Sequence, residues 1–440
     1  MSIHNKSMKS DFELIGKVVK VECRDLDISG NGISKWNNLV LVTPNLLPEE
    51  EALVTIEYKS GSRFCTSVYK YLRKSNNRIE PKCQAYEKCG GCSIQHLDYR
   101  HQVAVKLNYV SHLLNKLFKI SVVVTELGNS DSDGYYYRNR TCIPLSRDSN
   151  NRILAGYYHR NSHRIVDIES CPVLEEKISR LIKPIKEIIN KSNINVDSDL
   201  NSEIALRHFC LRYSHFSGEI HLTFISSSLQ YIEYLKELSS YISEKYNEVS
   251  GITMNIQDKR NNVIFGPKSI LLCGSEYILE EFCGYKFMIH STDFFQINHQ
   301  PAQSAVFKLI NWLKSKNDIN FVIDAYCGVG SISLPLSRYF DVIGIEFNSS
   351  SIVQARNNAR LNKINNTEFH VGDVKDLLSS LLDKKMALVV DPPRKGLDEQ
   401  VIKTIRAKKP IYIAYLSCNP GSMARDISKL TNHRLYKIER

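Results

Sequence analysis

From Phe321 onward the sequence repeats one pattern: a short apolar run that ends on a glycine, an acid or a cysteine, followed by a stretch suited to a helix. The runs are FVIDAYCGVG, VIGIEF, TEFHVGD, ALVVDPP and IYIAYLSC. Runs this short and this apolar read as strands buried on both faces, and helical spacers between them make the strands parallel. A doubly wound parallel sheet is the expected architecture. Ligands of such sheets bind outside the carboxyl ends of the strands, so the residues that close each run are the first candidates for chemistry.

The first run closes on Asp324-Ala325-Tyr326-Cys327-Gly328-Val329-Gly330, where glycines let the backbone approach a ligand. A dinucleotide-binding turn would carry a third glycine three residues after the second. GVGSISLP has none, which disfavours a hydride-transfer enzyme. The second run ends in Glu346, an acid placed to accept both hydroxyl protons of a ribose. Gly372-Asp373 closes the third, and Asp373 either meets an adenine edge or caps the next helix. The fourth ends in Asp391-Pro392-Pro393-Arg394, whose prolines stiffen the loop. The fifth delivers Ser417-Cys418-Asn419-Pro420 to the same edge, where Cys418 is either a nucleophile or a buried strand-end cysteine.

Upstream the grammar differs. Between Leu14 and Arg73 short β-type runs alternate with turn signals, which predicts a barrel of about five strands over residues 10–73. The polar, basic, proline-terminated stretch Arg73–Lys82 reads as a linker. Residues 74–290 mix strands and helices as one α+β domain, leaving 291–440 for the parallel sheet.

Twelve cysteines in a chain whose start lacks an apolar secretory segment argue for metal or catalytic uses of some of them, not for a disulfide framework. Cys83, Cys89 and Cys92 form a tight set with two glycines, suited to zinc or an iron–sulfur centre that needs a fourth ligand. Cys171, with a following proline in IESCPVL, is the natural fourth. Cys23, Cys65, Cys142, Cys210, Cys273 and Cys283 stand singly and read as small buried hydrophobes.

A net charge of +11 favours a polyanionic partner, because clustered Lys and Arg release counterions when they neutralise phosphates. No run approaches the roughly 18 apolar residues of a membrane span, so the expected compartment is the cytoplasm, with no membrane association. Nothing in the sequence calls for an obligate protein partner.

The order FFQIN (Phe294–Asn298), DAYCGVG, GIE, DPPRKG and SCNP closely resembles the 23S ribosomal RNA uracil-C5 methyltransferase family and its transfer-RNA relative. The resemblance spans nearly the whole chain. It implies a Rossmann-like class I methyltransferase domain that uses S-adenosylmethionine, with Cys418 as covalent nucleophile toward uridine C6. It implies that Gln296, Tyr326, Glu346 and Asp391 contact the cofactor, with Tyr326 standing where phenylalanine is more usual. Asp373 joins them as the adenine candidate.

The C-x5-C-G-G-C-x-x-Q-H-L pattern, present with Gln95, His96 and Leu97, implies a [4Fe-4S] cluster on Cys83, Cys89, Cys92 and Cys171. The N-terminal barrel resembles an OB-like TRAM domain, whose Lys17, Lys20, Lys70, Arg73 and Lys74 either meet phosphates or form a solvated face. Tyr137-Arg138-Asn139-Arg140 sets aromatic stacking beside cations, and Arg138 and Phe294 are the expected substrate contacts. Ribosomal RNA is the expected substrate over transfer RNA, because the transfer-RNA relative lacks the barrel and the cluster. The family's H-V-E glutamate, which follows a D-M-F-P-type strand and removes the last proton, has no match before TNHRLYKIER. The domain is therefore expected to lack its usual C-terminal end, with methyl transfer impaired.

Two other classes compete. Radical methylthiotransferases pair a TRAM module with a C-x3-C-x2-C cluster motif, which is absent here. An RNA-binding protein without catalysis is the second, and covalent trapping separates it from an enzyme.

Overall fold

The computed structural model describes residues 13–118, 133–199, 201–431 and 436. The chain divides into two compact units: residues up to Val110 together with Tyr158–Arg164, and Ser111–Tyr157 together with Ile165 onward. Most of the closing stretch TNHRLYKIER lies outside the described residues. No helix among the described residues is long and apolar enough to cross a membrane.

The first unit holds the expected barrel. Strands β1 (Val18–Leu26), β2 (Gly32–Trp36), β3 (Leu39–Thr43), β4 (Glu51–Ser60) and β5 (Arg63–Arg73) close in the order β1-β2-β3-β5-β4. Alternation along β1 and β4 turns Val19, Val21, Cys23, Ala52, Val54 and Ile56 inward, onto Leu41 and Phe64. Cys23 is thus the small buried hydrophobe expected, its thiol pushed up to about 12 by burial. The stretch expected as a free linker is anchored. Arg78 donates from Nε to Glu50 Oε1 (2.6 Å) and from Nη2 to Oε2 (2.7 Å), and the buried Glu50 carboxylate also takes the Leu47 and Ser75 N–H groups.

In the second unit a seven-stranded sheet runs β12-β11-β10-β9-β6-β7-β8, from β6 (Arg140–Arg147), β7 (Ile153–Tyr158), β8 (Ile165–Asp167), β9 (Leu206–Tyr213), β10 (Ile220–Ser226), β11 (Val249–Ile256) and β12 (Lys268–Gly274). β9 and β10 are buried throughout, apart from half-buried Tyr213, and carry buried polar residues such as Arg207, Arg212 and His221 among their apolar ones. The β6–β9 register sets Cys142 opposite Cys210, and the two are joined as a disulfide. This corrects the reading of both as unpaired: register between strands 68 residues apart is invisible in spacing. A hairpin, β13 (Tyr277–Phe282) and β14 (Tyr285–His290), leads into the FFQIN loop.

The parallel sheet is as expected. β15 (Phe321–Ala325), β16 (Asp341–Glu346), β17 (Thr367–Val371), β18 (Ala387–Val390) and β19 (Tyr412–Tyr415) order as β17-β16-β15-β18-β19, every pair parallel. Both faces are covered. Val322, Val342, Ala387 and Val389 pack toward the helices His299–Lys314 and Ser349–Leu361, while Ile323, Ala325, Ile345, Leu388 and Val390 pack toward Val374–Leu381 and Glu399–Lys408. The order reverses at β15, so β15 and β18 bound the topological switch point, the place where ligands of open parallel sheets bind.

Candidate active site at the carboxyl edge of the parallel sheet

The turn after β15 is held in a conformation that costs the chain energy. Tyr326 has φ +70°, a left-handed geometry rare for an aromatic residue, and both Tyr326 and Cys327 donate their N–H groups to the Ile345 carbonyl (2.8 and 3.0 Å). Gly328 and Gly330 continue at positive φ, and space is open where a Gly328 side chain would project. Glu346, at the tip of β16, accepts the Gly328 N–H on Oε2 (3.2 Å) and the Asn348 N–H on Oε1 (2.9 Å). The acid and the glycine turn are therefore one unit.

Two carboxyl groups act on a third here. Asp324 is fully buried, receives the Ser333 hydroxyl on Oδ2 (2.5 Å), and leaves Oδ1 without a partner. Burial, with the nearby Asp391 and Glu346, raises its pKa to about 7. Burial alone raises Asp391. Clustered acids with an orphaned carboxyl oxygen suit a ligand with a cationic centre, and S-adenosylmethionine carries one at sulfur. The half-buried Tyr326 packs against the cluster containing Val390 and Leu397, among Asp373, Asp398, Asp426 and Glu346.

Asp391 and Cys418 leave neighbouring strands. The Leu416 N–H donates to the Val390 carbonyl (2.9 Å), extending the β18–β19 pairing to the start of SCNP. Cys418 is exposed, so the alternative of a buried strand-end cysteine is set aside. Asn419 donates from Nδ2 to the Arg394 carbonyl (3.0 Å) and accepts the Gly421 N–H on Oδ1, capping the helix that follows. Asp373 is the N-cap of Val374–Leu381, accepting the Lys375 N–H (3.1 Å) and pairing with the Lys375 ammonium (3.1 Å). The helix-cap alternative for Asp373 is what the structure displays.

The FFQIN loop is held from β6 and β9. Asn139 donates from its backbone to the Ile297 carbonyl and from Nδ2 to the Gln296 carbonyl, both at 3.1 Å. Arg140 donates to the Asp293 and Ser291 carbonyls (each 2.9 Å), and the buried Arg212 donates to the Asp293 carbonyl. Phe295 is buried against Phe282 and Phe287, while Phe294 stands 63% exposed and Gln296 is half-buried. Arg138 is exposed, donating from Nε to the Arg140 carbonyl (3.0 Å). Sequence reasoning gave an individual role to Arg138 alone within Tyr137-Arg138-Asn139-Arg140, and it did not name Arg212.

The cysteine motif shows no gathered cluster. Among the described residues no three or more His, Cys, Asp or Glu side chains gather as a metal ion requires. Burial pushes up the Cys89 thiol, and its sulfur takes the Gly91 N–H (3.3 Å). Gly90 has another reason to be glycine: a Cβ would press on the Tyr158 carbonyl at 3.0 Å, where the chain runs against Tyr158–Arg164 of the same unit. Arg160 from that segment donates to the Cys92 carbonyl (3.0 Å) and to Asn45 (3.1 Å). The [4Fe-4S] expectation for Cys83, Cys89, Cys92 and Cys171 gains no support from this arrangement, and no chemistry is assigned to these residues.

Comparison with known proteins gives the following. The profile of the family described as tRNA (Uracil-5-)-methyltransferase matches residues 98–440. An RNA methyltransferase of Parasynechococcus marenigrum is 39% identical over 94% of this chain and 89% of its own, and one of Synechocystis is 33% identical over 96% and 91%. The crystal structure of Pyrococcus abyssi tRNA (uracil-54, C5)-methyltransferase in complex with S-adenosyl-L-homocysteine is similar with a TM-score of 0.72 at 27% identity, covering 93% of this chain and 92% of that one.

Proposed function

The chain belongs to the tRNA (uracil-5-)-methyltransferase family, and from that premise we propose that it transfers a methyl group from S-adenosylmethionine to C5 of a uridine in RNA, with Cys418 as covalent nucleophile. The observation that carries the reading is the meeting of two kinds of group at one sheet edge. Acids that favour a cation surround the β15–β16 turns, and an exposed cysteine stands beyond the neighbouring β18–β19 pair.

Uracil C5 is a poor nucleophile until C6 has been attacked, and a thiolate is suited to that attack. The target base must first leave its stack, since neither face of its C5=C6 bond is reachable within it. Cys418 sulfur adds to C6, and the electron pair of the C5=C6 bond moves onto C5 and the C4 carbonyl. S-adenosylmethionine, when bound, supplies an electrophilic methyl on its sulfonium. C5 takes up that methyl, a base removes the C5 proton, and elimination re-forms C5=C6 and frees Cys418.

In this reading Glu346 accepts the ribose hydroxyls, Tyr326 offers its ring, and Gln296 and Asp391 bound the methionine end. Phe294 and Arg138, both exposed, face the RNA base and backbone. Asp373 serves as helix cap beside them, and the proton-removing base has no assigned residue. The barrel is read as an RNA-binding TRAM-like module.

Ribosomal RNA was favoured because the transfer-RNA relative was expected to lack the extra domains. The Pyrococcus transfer-RNA enzyme matches over 93% of this chain, which removes that ground and favours transfer RNA as a second reading. The test is trapping. 5-Fluorouridine-substituted RNA with S-adenosylmethionine gives a covalent adduct with the wild type and none with Cys418→Ala, and adduct in that variant rejects the assignment. Running ribosomal and transfer RNA separately decides the substrate.

A further inference from the structure

The helix Pro420–Thr431 carries an anomaly on its buried face. Ser422, Asp426 and Leu430 are spaced four apart and all buried, so Asp426 occupies a stripe position where an apolar residue is expected, with 0% exposure. A buried carboxylate is costly unless every oxygen is satisfied, and here both are. Oδ2 accepts the Leu397 N–H (2.7 Å) and the Tyr415 hydroxyl (2.8 Å), and Oδ1 accepts Arg425 Nε (2.9 Å) and Nη2 (2.8 Å). Arg425 also donates to the Lys395 carbonyl (2.7 Å).

The partners outside the helix come from two neighbouring segments. Leu397 and Lys395 lie in the loop that begins at Asp391, and Tyr415 ends the strand that delivers Cys418. Gly396 between them has φ +84°, and a Cβ there would collide with the Asp426 carboxylate, so the chain passes as close as a backbone can. One carboxylate therefore ties the Asp391 loop, the end of β19 and the Cys418 helix together.

We infer that Asp426 is a positioning residue that fixes the Cys418 loop against the Asp391 loop and so sets where the thiolate meets the uracil ring. The inference rests on the reading of Cys418 as the nucleophile. A small misplacement of a reacting group costs up to about a hundredfold in rate, whereas the hydrogen bonds that hold Glu346 against the Gly328 turn do not involve Asp426.

The experiment compares wild type, Asp426→Ala, Asp426→Asn and Tyr415→Phe by the rate of adduct formation with 5-fluorouridine RNA and by calorimetric affinity for S-adenosylhomocysteine. Asp426→Ala is expected to slow adduct formation at least about tenfold while product affinity stays within about twofold. Asp426→Asn, which keeps an oxygen for Leu397 and Tyr415, recovers part of the rate, and Tyr415→Phe loses about threefold or more. A rate within about twofold of wild type in folded Asp426→Ala overturns the inference, as does a loss that runs in parallel with product affinity. Where Asp426→Ala does not fold, an unchanged rate in Tyr415→Phe overturns it. Absence of adduct in the wild type overturns the nucleophile reading and this inference with it, whereas adduct in wild type with no change in the variants overturns the inference alone.

Discussion

Asn139 and Gln296 lie 157 positions apart and are joined by a 3.1 Å hydrogen bond from the Asn139 side-chain amide to the Gln296 carbonyl. Beside it Arg140 and Arg212, opposite each other in the β6–β9 register, aim two guanidinium groups at the same loop. Like charges set opposite each other in a sheet repel, and burial lowers both pKa values, Arg140 to about 10. The loop's carbonyls and the Asp293 carboxylate are what offset that cost. Asn139→Ala is expected to lower stability by about 1 kcal/mol, the ordinary cost of one lost hydrogen bond, and, by loosening the Gln296 loop, to weaken S-adenosylhomocysteine binding. Calorimetry checks this, and unchanged affinity would detach the loop's position from cofactor binding.

Asp324 gives a pH signature. Its folded pKa of about 7 lies above the ordinary aspartate value, so the native state binds a proton that the unfolded chain releases. Wild-type stability from this group is full below about pH 4 and declines as pH rises through about 7. Asp324→Asn has no such dependence, so its melting temperature should gain on the wild type across that window and level off above it. Parallel melting curves from pH 4 to 8 would contradict the burial assigned to this carboxyl.

The same acids should distinguish cofactor from product. The methyl donor is cationic at sulfur and the demethylated product is not, so ionising Asp324 and Asp391 favours the donor. The ratio of donor affinity to product affinity should rise between about pH 6 and 8 and flatten in Asp324→Asn. Competition binding at both pH values measures it.

Gly344 in β16 has no room for a methyl group. A Cβ there would stand 2.6 Å from Phe369 and 2.9 Å from the Cys327 sulfur. Gly344→Ala is expected to cost about 1–3 kcal/mol by overpacking, read by denaturant unfolding, and a neutral result would mean that Phe369 moves freely.

In the first unit Glu50→Gln strips Arg78 of its buried counter-charge. Burial alone would raise the Glu50 pKa, but Arg78 and the Leu47 and Ser75 N–H groups bring it below the ordinary glutamate value. That contribution is complete above about pH 4.5 and lost as pH falls through the lower folded value. The variant should lose about 3 kcal/mol at neutral pH, toward the low end for a broken buried pair because Arg78 is partly exposed, and the gap should close in acid. Denaturant unfolding at pH 7 and pH 3.5 checks both halves.

The parallel sheet and the strand-end residues were legible in the sequence because a βα repeat fixes where each strand stops: Tyr326, Glu346, Asp391 and Cys418 reach one edge through periodicity alone. The barrel was legible for the same reason, through alternation and turns. Asp426, Arg140 and Arg212 were not, because their roles lie in hydrogen bonds to carbonyls and N–H groups far along the chain, and main-chain partners leave no residue type to read. Cys142 and Cys210 were missed because pairing depends on strand register. The Cys83–Cys92 motif leaves its reading open, because Gly90 admits a close backbone contact as readily as it shapes a metal loop.

The reversal of strand order at β15 puts Glu346 and Cys418 on opposite sides of the central strand. In the proposed reaction the turns of β15 and β16 and the Asp391 end of β18 belong to the donor, and the loop after β19 faces the acceptor. A change of methylated base can therefore arise by rewriting the segment around Cys418 while Tyr326, Glu346 and Asp391 are inherited intact, a division of labour in which new substrates need no new cofactor site.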